Sequence, residues 1–363
     1  MNERRIVKSE YMYWAKTAPH ARYNLASSDL LHVTLRELHV RGAHLEITGE
    51  DGYGHAPLRE AIASRYSVEP GSVVTTAGAS MANHLALAAL IKPGDEVLVE
   101  EPTYELIPET AAFLGARVRR FPRRFEEDFR IDPGEVRKRI TPRTRLIVLT
   151  NLHNPSSAFT SGETLRALGA IARRARARVL VDEAYLDTAF SLRPRSASHI
   201  GGEFVSTSSL TKAYGLSGLR CGWILAEPRI ASRMWRLADL FYSSLPHIAH
   251  QLSVIAFRNL PVYARRARGL LDANTEIVNR FFGSRDDLEA MAHKHGLVAF
   301  PLVKGRSVDK LCRILLERYE TLVVPGKYFG MPGHIRISIG GSTANVRRGL
   351  ARLGKALDGM KNR

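Results

Sequence analysis

From residue 72 to residue 226, seven short apolar or β-rich runs recur with helical patterns between most of them. The runs are SVVTTA, EVLVEE, ARVRRF, RLIVLTN, RVLVDEAY, EFVSTSS and GWILA. Several are near-continuous in Val, Ile and Leu, as strands are when both faces are covered. The gaps hold SMANHLALAALI, YELIPETAAFLG, PGEVRKRI and GETLRALGAIARRA, punctuated by Pro93-Gly94-Asp95, Gly115 and Gly162. A chain alternating in this way folds as an α/β domain with a mostly parallel, helix-covered sheet. Past it, PVYARRARGLLDANTEIVNRFFGS reads as one long helix leading outward. LVAFPLVKG, SVDKLCRILLERY, TLVVPG, HIRISIGG and NVRRGLARLGKAL then read as a smaller α+β unit. The expected division is an N-terminal arm over 1–45 that packs with the small domain, a large domain over 46–260 and a small domain over 261–363.

Composition narrows the function classes. With 363 residues and 45% hydrophobic content, the chain is long enough for two packed units and is not of disordered type. The start, MNERRIVKSEYMYW, has no apolar core of signal-peptide length, and HLALAALI is too short to span a bilayer. Cys221 and Cys312 have no metal-ligand spacing, so a cytoplasmic, reducing-compartment protein is expected. The net charge of +17 raises the question of nucleic acid. The basic residues are scattered through runs such as RRFPRR and RRARARV, with few aromatics between them. An arginine-rich surface, or a pocket for small anions, explains them better.

In open parallel sheets, ligands bind beyond the carboxyl ends of the strands. SVVTTA ends in Gly78-Ala79-Ser80, small residues at a helix start that admit a phosphate to backbone N–H groups. RLIVLTN leads into Asn154. RVLVDEAY places Asp182 after an apolar strand, where a carboxylate needs a partner. EFVSTSSLTK ends in Lys212, an isolated ammonium among small and apolar residues. Lysine forms Schiff bases, and shelter is expected to lower its pKa for that work. Phosphate loop, Asn, Asp and Lys at successive strand ends are what pyridoxal phosphate needs. The lysine holds the aldehyde, and the aspartate pairs with the protonated pyridine nitrogen.

The ordered motifs TAGAS, EPTYE, NLHNP, VDEAY, S-x-x-K followed eight residues later by the arginine of GLRCGW, and RIS resemble the class I/II aminotransferases, the fold-type-I pyridoxal-phosphate enzymes. Asn154 and Asp182 stand 28 residues apart, close to the family's spacing. The resemblance runs from about Gly52 to HIRISIGG. It implies Lys212 as the Schiff-base lysine, Asp182 as the pyridine-nitrogen partner, and Asn154 and Tyr185 on the phenolic oxygen. Ser209 and Arg220 would hold phosphate with Gly78, Ala79 and Ser80. Tyr104 would stack on one ring face and Ala184 on the other. Arg336 would clamp the substrate carboxylate, with Asn154 also on the substrate side. Tyr53 would reach the phosphate of a neighbouring subunit in a homodimer.

The implied activity is ping-pong transfer of an amino group between an α-amino acid and a 2-oxo acid. Alternatives on the same scaffold are a lyase, decarboxylase or cyclase. A cofactor-sensing or DNA-binding regulator is disfavoured, because the catalytic pattern begins too early for an added N-terminal domain. Two departures bear on the site. NLHNPSSAF lacks the glycine that commonly follows NP-Ser/Thr, and YNLASSDL has Ser-Ser-Asp where relatives often show a glycine beside the substrate. EYMYWAK is aromatic enough to cover the substrate side or to pack at a subunit interface. His153 reads as structural, Cys221 as a small core residue and Glu183 as a solvated neighbour.

Overall fold

The computed structural model describes residues 8–40 and 45–361, so the charged start at residues 1–7 lies outside the described residues. All seven runs form strands of one sheet. In chain order they are β1 (Val73–Ala77), β2 (Glu96–Glu101), β3 (Arg117–Pro122), β4 (Thr144–Thr150), β5 (Arg178–Asp182), β6 (Phe204–Ser209) and β7 (Cys221–Leu225). Side by side the order is β1-β7-β6-β5-β4-β2-β3. Only β7 runs against the rest. The connection 210–220 is too short for a crossover helix, so the chain returns antiparallel beside β6.

The continuous apolar runs follow from burial on both faces. Val97, Val99, Leu146 and Val148 pack against Leu85 and Leu87 of helix Ala79–Leu90 and Met234 of helix Pro228–Ala238. Their alternates Leu98, Ile147 and Leu149 pack against Leu165, Leu168 and Ile171 of helix Gly162–Arg174. Consecutive side chains on a strand point to opposite faces, so both must be apolar here.

A second core joins Leu271 and Val278 of the long helix Leu260–Gly283 to Leu311, Leu315, Ile335, Ile337 and Leu353. Leu25 and Leu30 of the N-terminal segment belong to it, and Leu152 and Tyr185 connect it to the sheet's ends. Two expected strands are broken. In LVAFPLVKG, Val298–Ala299 pairs with Ile335–Ser338, whereas Leu302–Val303 turns to Leu288–Glu289. Pro301, lacking an N–H, separates the two ladders. In TLVVPG, Thr321–Leu322 pairs with Tyr23–Asn24 and Val324–Pro325 with the strand through Arg336. Helices Glu10–Thr17, Ala56–Tyr66, Pro228–Ala238 and His247–Arg258 add to the patterns read from sequence. Among the described residues, no helix is long and apolar enough to cross a membrane.

Arg123, from the surface-like run RRFPRR, is fully buried. Its Nη1 meets Glu100 at 2.7 Å with neither side chain exposed, and its Nε donates to the Phe129 carbonyl at 2.6 Å. Glu100 also accepts from the Thr150 N–H at 2.7 Å and hydroxyl at 2.6 Å. The pair therefore braces the end of β4, from which the Asn154 loop departs.

Candidate active site

Strand β6 stops at Ser209, and Lys212 sits on the short helix Thr211–Tyr214 just beyond it. Gly215 ends that helix at φ 69°, where a Cβ would stand 2.5 Å from the Leu31 carbonyl. The N–H of Leu30 donates to the Lys212 carbonyl and that of Val33 to the Gly215 carbonyl. These contacts draw the N-terminal segment across the lysine. Lys212 Nζ donates to Asp29 Oδ1 at 2.5 Å and Ser28 Oγ at 2.9 Å. Burial, the largest single influence, works against charge on Lys212, but the Asp29 carboxylate together with Tyr185 and Tyr104 outweighs it, and the pKa is raised. The expectation of a lowered pKa is thus corrected. It failed because Asp29 lies 183 residues away in sequence.

Asp182 ends β5, flanked in register by Thr150 and Thr207. Its Oδ2 accepts from Asn83 Nδ2 at 2.7 Å, and its Oδ1 from the Ala184 N–H at 3.0 Å. Thr207 Oγ1 in turn donates to Asn83 Oδ1 at 2.6 Å. Among the described residues no cationic side chain forms an ion pair with Asp182, and burial pushes its pKa up. A buried carboxylate held by neutral donors and facing a cavity is a receptor for a cation. Asn83 and Thr207 were not foreseen. The available signal was an amide at position 83 inside an otherwise apolar helix pattern.

The cavity is about 460 Å³ and is lined by Ala79, Ser80, Tyr104, Asn154, Asp182, Ala184, Tyr185, Ser209, Lys212 and Arg220, all singled out from sequence. At one end it meets the N-terminus of helix Ala79–Leu90. Gly78 lies behind this wall at φ 84°, and a Cβ there would come within 2.5 Å of Arg220 Nη2. The missing Cβ lets Arg220 lie against the loop, where its Nη2 donates to the Ala77 carbonyl at 3.0 Å. Helix N-terminus, hydroxyls and guanidinium form an anion cradle. The buried Asp182 stands apart from it, with Lys212 also on the wall, and this donor set fits pyridoxal phosphate.

Arg336 is not on the wall but directly behind it, buried. It donates to Asn154 Oδ1 at 3.0 Å, Tyr11 Oη at 2.7 Å and the Ala26 carbonyl at 3.2 Å. Among the described residues it has no carboxylate partner within ion-pair distance. Tyr53 is also off the wall, 51% exposed, with its hydroxyl donating to Asp239 at 3.2 Å. Tyr11, Met12, Trp14 and Ala15 of EYMYWAK line the cavity.

Ser157 stands in the place of the absent glycine and adopts φ 63°, the conformation a glycine would take. Its hydroxyl donates to the Val298 carbonyl at 2.7 Å, which ties the loop to the second core. His153 is buried, bonded to Ser156 and the Pro102 carbonyl. Cys221 is buried with its pKa pushed up to about 12. Glu183 is not solvated: it is buried, accepts from the Ala197 N–H at 2.6 Å, and burial raises its pKa to about 8.

Residues 24–353 match a family model described as aminotransferase class I and II. Over 350 residues the chain is 32% identical to capreomycidine synthase of Streptomyces vinaceus, covering 93% of this chain and 90% of that one. It is 28% identical over 302 residues to arginine–pyruvate transaminase of Pseudomonas aeruginosa, with 80% and 77% covered. Among solved structures, a PLP-dependent aminotransferase from Streptococcus suis shares the fold with a TM-score of 0.89 at 24% identity, over 96% of each chain.

Proposed function

The chain belongs to the class I and II aminotransferases, a pyridoxal-phosphate enzyme moving amino groups between α-amino acids and 2-oxo acids, and we propose that Lys212 carries the proton transfers while Asp29 selects the substrate. The observation that carries the assignment is the buried Asp182 carboxylate, held by Asn83 and the Ala184 N–H on the cavity wall. Pyridoxal phosphate, when bound, supplies an aldehyde for the amino group and a protonated ring that takes up the electron pair left at the α-carbon. Asp182 keeps that ring nitrogen charged, and Asn83 keeps Asp182 aimed.

Ser80, Ser209 and Arg220 hold phosphate. Asn154 and Tyr185 would hold the phenolic oxygen, and Tyr104 and Ala184 would flank the ring. The Asn154 carbonyl oxygen is occupied by Arg336, so its amide hydrogens are the groups left to donate. Arg336, fixed behind the wall by Tyr11 and Asn154, would reach a substrate carboxylate where Tyr11 now takes its Nη2. Lys212 Nζ is the only amine among the described lining residues. It takes the α-proton and returns it.

Asp29 bears on the substrate class. It holds Lys212 as an ammonium, and an ammonium is no base. A substrate whose side chain carries its own cation would pair with Asp29 and free the amine. Basic α-amino acids are therefore the proposed donors. The test is a panel of arginine, ornithine, lysine, alanine and aspartate with pyruvate as acceptor, scored by 2-oxo acid formed. Preference for aspartate would sink the Asp29 assignment.

A second reading is favoured by one observation: Ser28 and Asp29 hold the lysine where relatives often carry a glycine, and a relative over nearly the whole chain is named a synthase. In that reading the amino acid is cyclised or loses a side-chain group. The same panel separates the two, because such a reaction consumes the donor without aminating pyruvate. The proposed assembly is a cytoplasmic homodimer in which half-exposed Tyr53 reaches the partner's phosphate site. The domain boundaries proposed above fall at 45/46 and 260/261, the second one residue into helix Leu260–Gly283 and just past its junction with helix His247–Arg258 at Asn259.

A further inference from the structure

Outside the cavity, three imidazoles converge on one carboxylate. Asp51 Oδ1 lies 2.8 Å from His55 Nδ1 and 2.9 Å from His247 Nδ1, and its Oδ2 lies 3.1 Å from His250 Nδ1. The side chains of Asp51, His250, His247 and His55 are 5%, 6%, 10% and 15% exposed. None of the four lines the catalytic cavity. His55 immediately precedes helix Ala56–Tyr66, while His247 and His250 share one face of the first turn of helix His247–Arg258. Loop residue Gly49 closes over them, since a Cβ there would stand 2.1 Å from the His247 ring.

Hydrogen bonding alone does not account for this cluster. A carboxylate can accept all three rings, but burying three imidazoles around one carboxylate desolvates each of them. His250 Nε2 is left buried with no hydrogen-bond partner among the described residues. The nearest donor atoms of Asp51, His55 and His247 all lie within 4.8 Å of one another. With metal–ligand bonds of about 2.0–2.1 Å, tetrahedral ligands stand about 3.3 Å apart. Small side-chain rotations about the present separations reach that spacing. Two imidazole nitrogens and one carboxylate oxygen are a donor set that suits Zn²⁺ and not Mg²⁺ or Ca²⁺, which take oxygen ligands.

We propose that Asp51, His55 and His247 form a Zn²⁺ site. His250 keeps its bond to Oδ2 and orients the carboxylate, and water takes the fourth position. Metal on His247 Nδ1 puts the ring proton on Nε2. Gln251, whose amide nitrogen now faces that atom at 3.1 Å and whose oxygen accepts from the Glu46 N–H at 2.8 Å, must then turn its oxygen to His247 and give up the Glu46 bond. The ion clamps the segment bearing Asp51 to helix His247–Arg258 and so fixes the approach to Tyr53, two residues on.

The test uses holoenzyme freed of metal by chelation and desalting. Zn²⁺ is added, the protein is desalted again, and retained metal is counted per chain. Co²⁺ replaces Zn²⁺ in a parallel sample read by its visible absorption. Wild type is expected to retain one Zn²⁺ per chain and to give the intense bands of tetrahedral Co²⁺. His55→Ala with His247→Ala should lose both while keeping the bound-cofactor absorbance. His250→Ala should weaken affinity by about 10-fold or more, as expected for an outer-shell ligand partner. Absence of retained metal in wild type overturns the proposal, as does an unchanged metal count in the folded double variant or in Asp51→Asn. If the double variant loses its cofactor absorbance through misfolding, wild-type Co²⁺ bands and the His250→Ala affinity decide the matter by the same criteria.

Discussion

Replacing Asp29 with asparagine keeps the side chain's size and removes its charge from beside Lys212. The two groups are 2.5 Å apart, with 27% of the lysine side chain and 26% of the aspartate side chain exposed. An opposite charge at contact raises an amine's pKa by about 1–3 units, and partial exposure places this pair towards the lower end. Loss of about 1–2 units corresponds to about 1.4–2.7 kcal/mol and increases the neutral amine fraction by about 10- to 100-fold at pH values well below the variant's own pKa. The neutral amine is the form that attacks an aldehyde. At saturating pyridoxal phosphate, where docking is no longer limiting, the Asp29→Asn apoenzyme should therefore bond its cofactor faster by about that factor. The assay is stopped-flow absorbance from neutral to mildly alkaline pH. Both proteins should show a rate rising with pH, with the variant displaced to lower pH. Ser28→Ala, which removes only a neutral acceptor, should move the profile less. Coincident profiles for wild type and Asp29→Asn would refute the claim that Asp29 holds Lys212 as an ammonium.

Asp182→Ala should keep part of its cofactor affinity and lose turnover on the order of 10²-fold or more, as for removal of a strong transition-state electrostatic interaction. A cofactor analogue with an N-methylated, permanently charged ring should restore part of that loss. Arg336→Lys should raise KM for carboxylate substrates with little change in cofactor affinity, since an ammonium cannot reproduce a planar fork held by Asn154 and Tyr11. Burial keeps Glu183 protonated in the folded chain up to a pKa of about 8, against an ordinary carboxyl value of 4.5. Between those values the native state binds more protons than the unfolded one. Its contribution to stability is thus greatest at low pH and falls as pH rises, on the order of 1 kcal/mol per unit. Glu183→Gln should flatten that slope in chemical denaturation between pH 5 and 8.

The main sheet was legible because burial on both faces forces near-continuous apolar strands, and that pattern survives without knowledge of partners. Asn154, Asp182 and Lys212 were legible for a related reason: each lies at or just beyond the end of a strand that the sheet fixes. The small domain was read less well. Leu302–Val303 and Val324–Pro325 form two-residue ladders whose partners are set by tertiary contacts and not by a local period. Asp29 was visible as a departure, but its contact with Lys212 depends on the N-terminal segment crossing Gly215. Arg123 was read as surface from its neighbours in RRFPRR, yet its partner Glu100 lies on an adjacent strand. The Asp51 cluster left no motif, since His247 is 196 residues from Asp51.

The central claim is that Lys212 bonds the cofactor. Holoenzyme reduced with borohydride and digested should yield a pyridoxyl label on the peptide containing Lys212, and Lys212→Ala should yield no labelled peptide and no activity. A reduced, stoichiometric label on any other lysine, or an unchanged label in Lys212→Ala, would contradict the account.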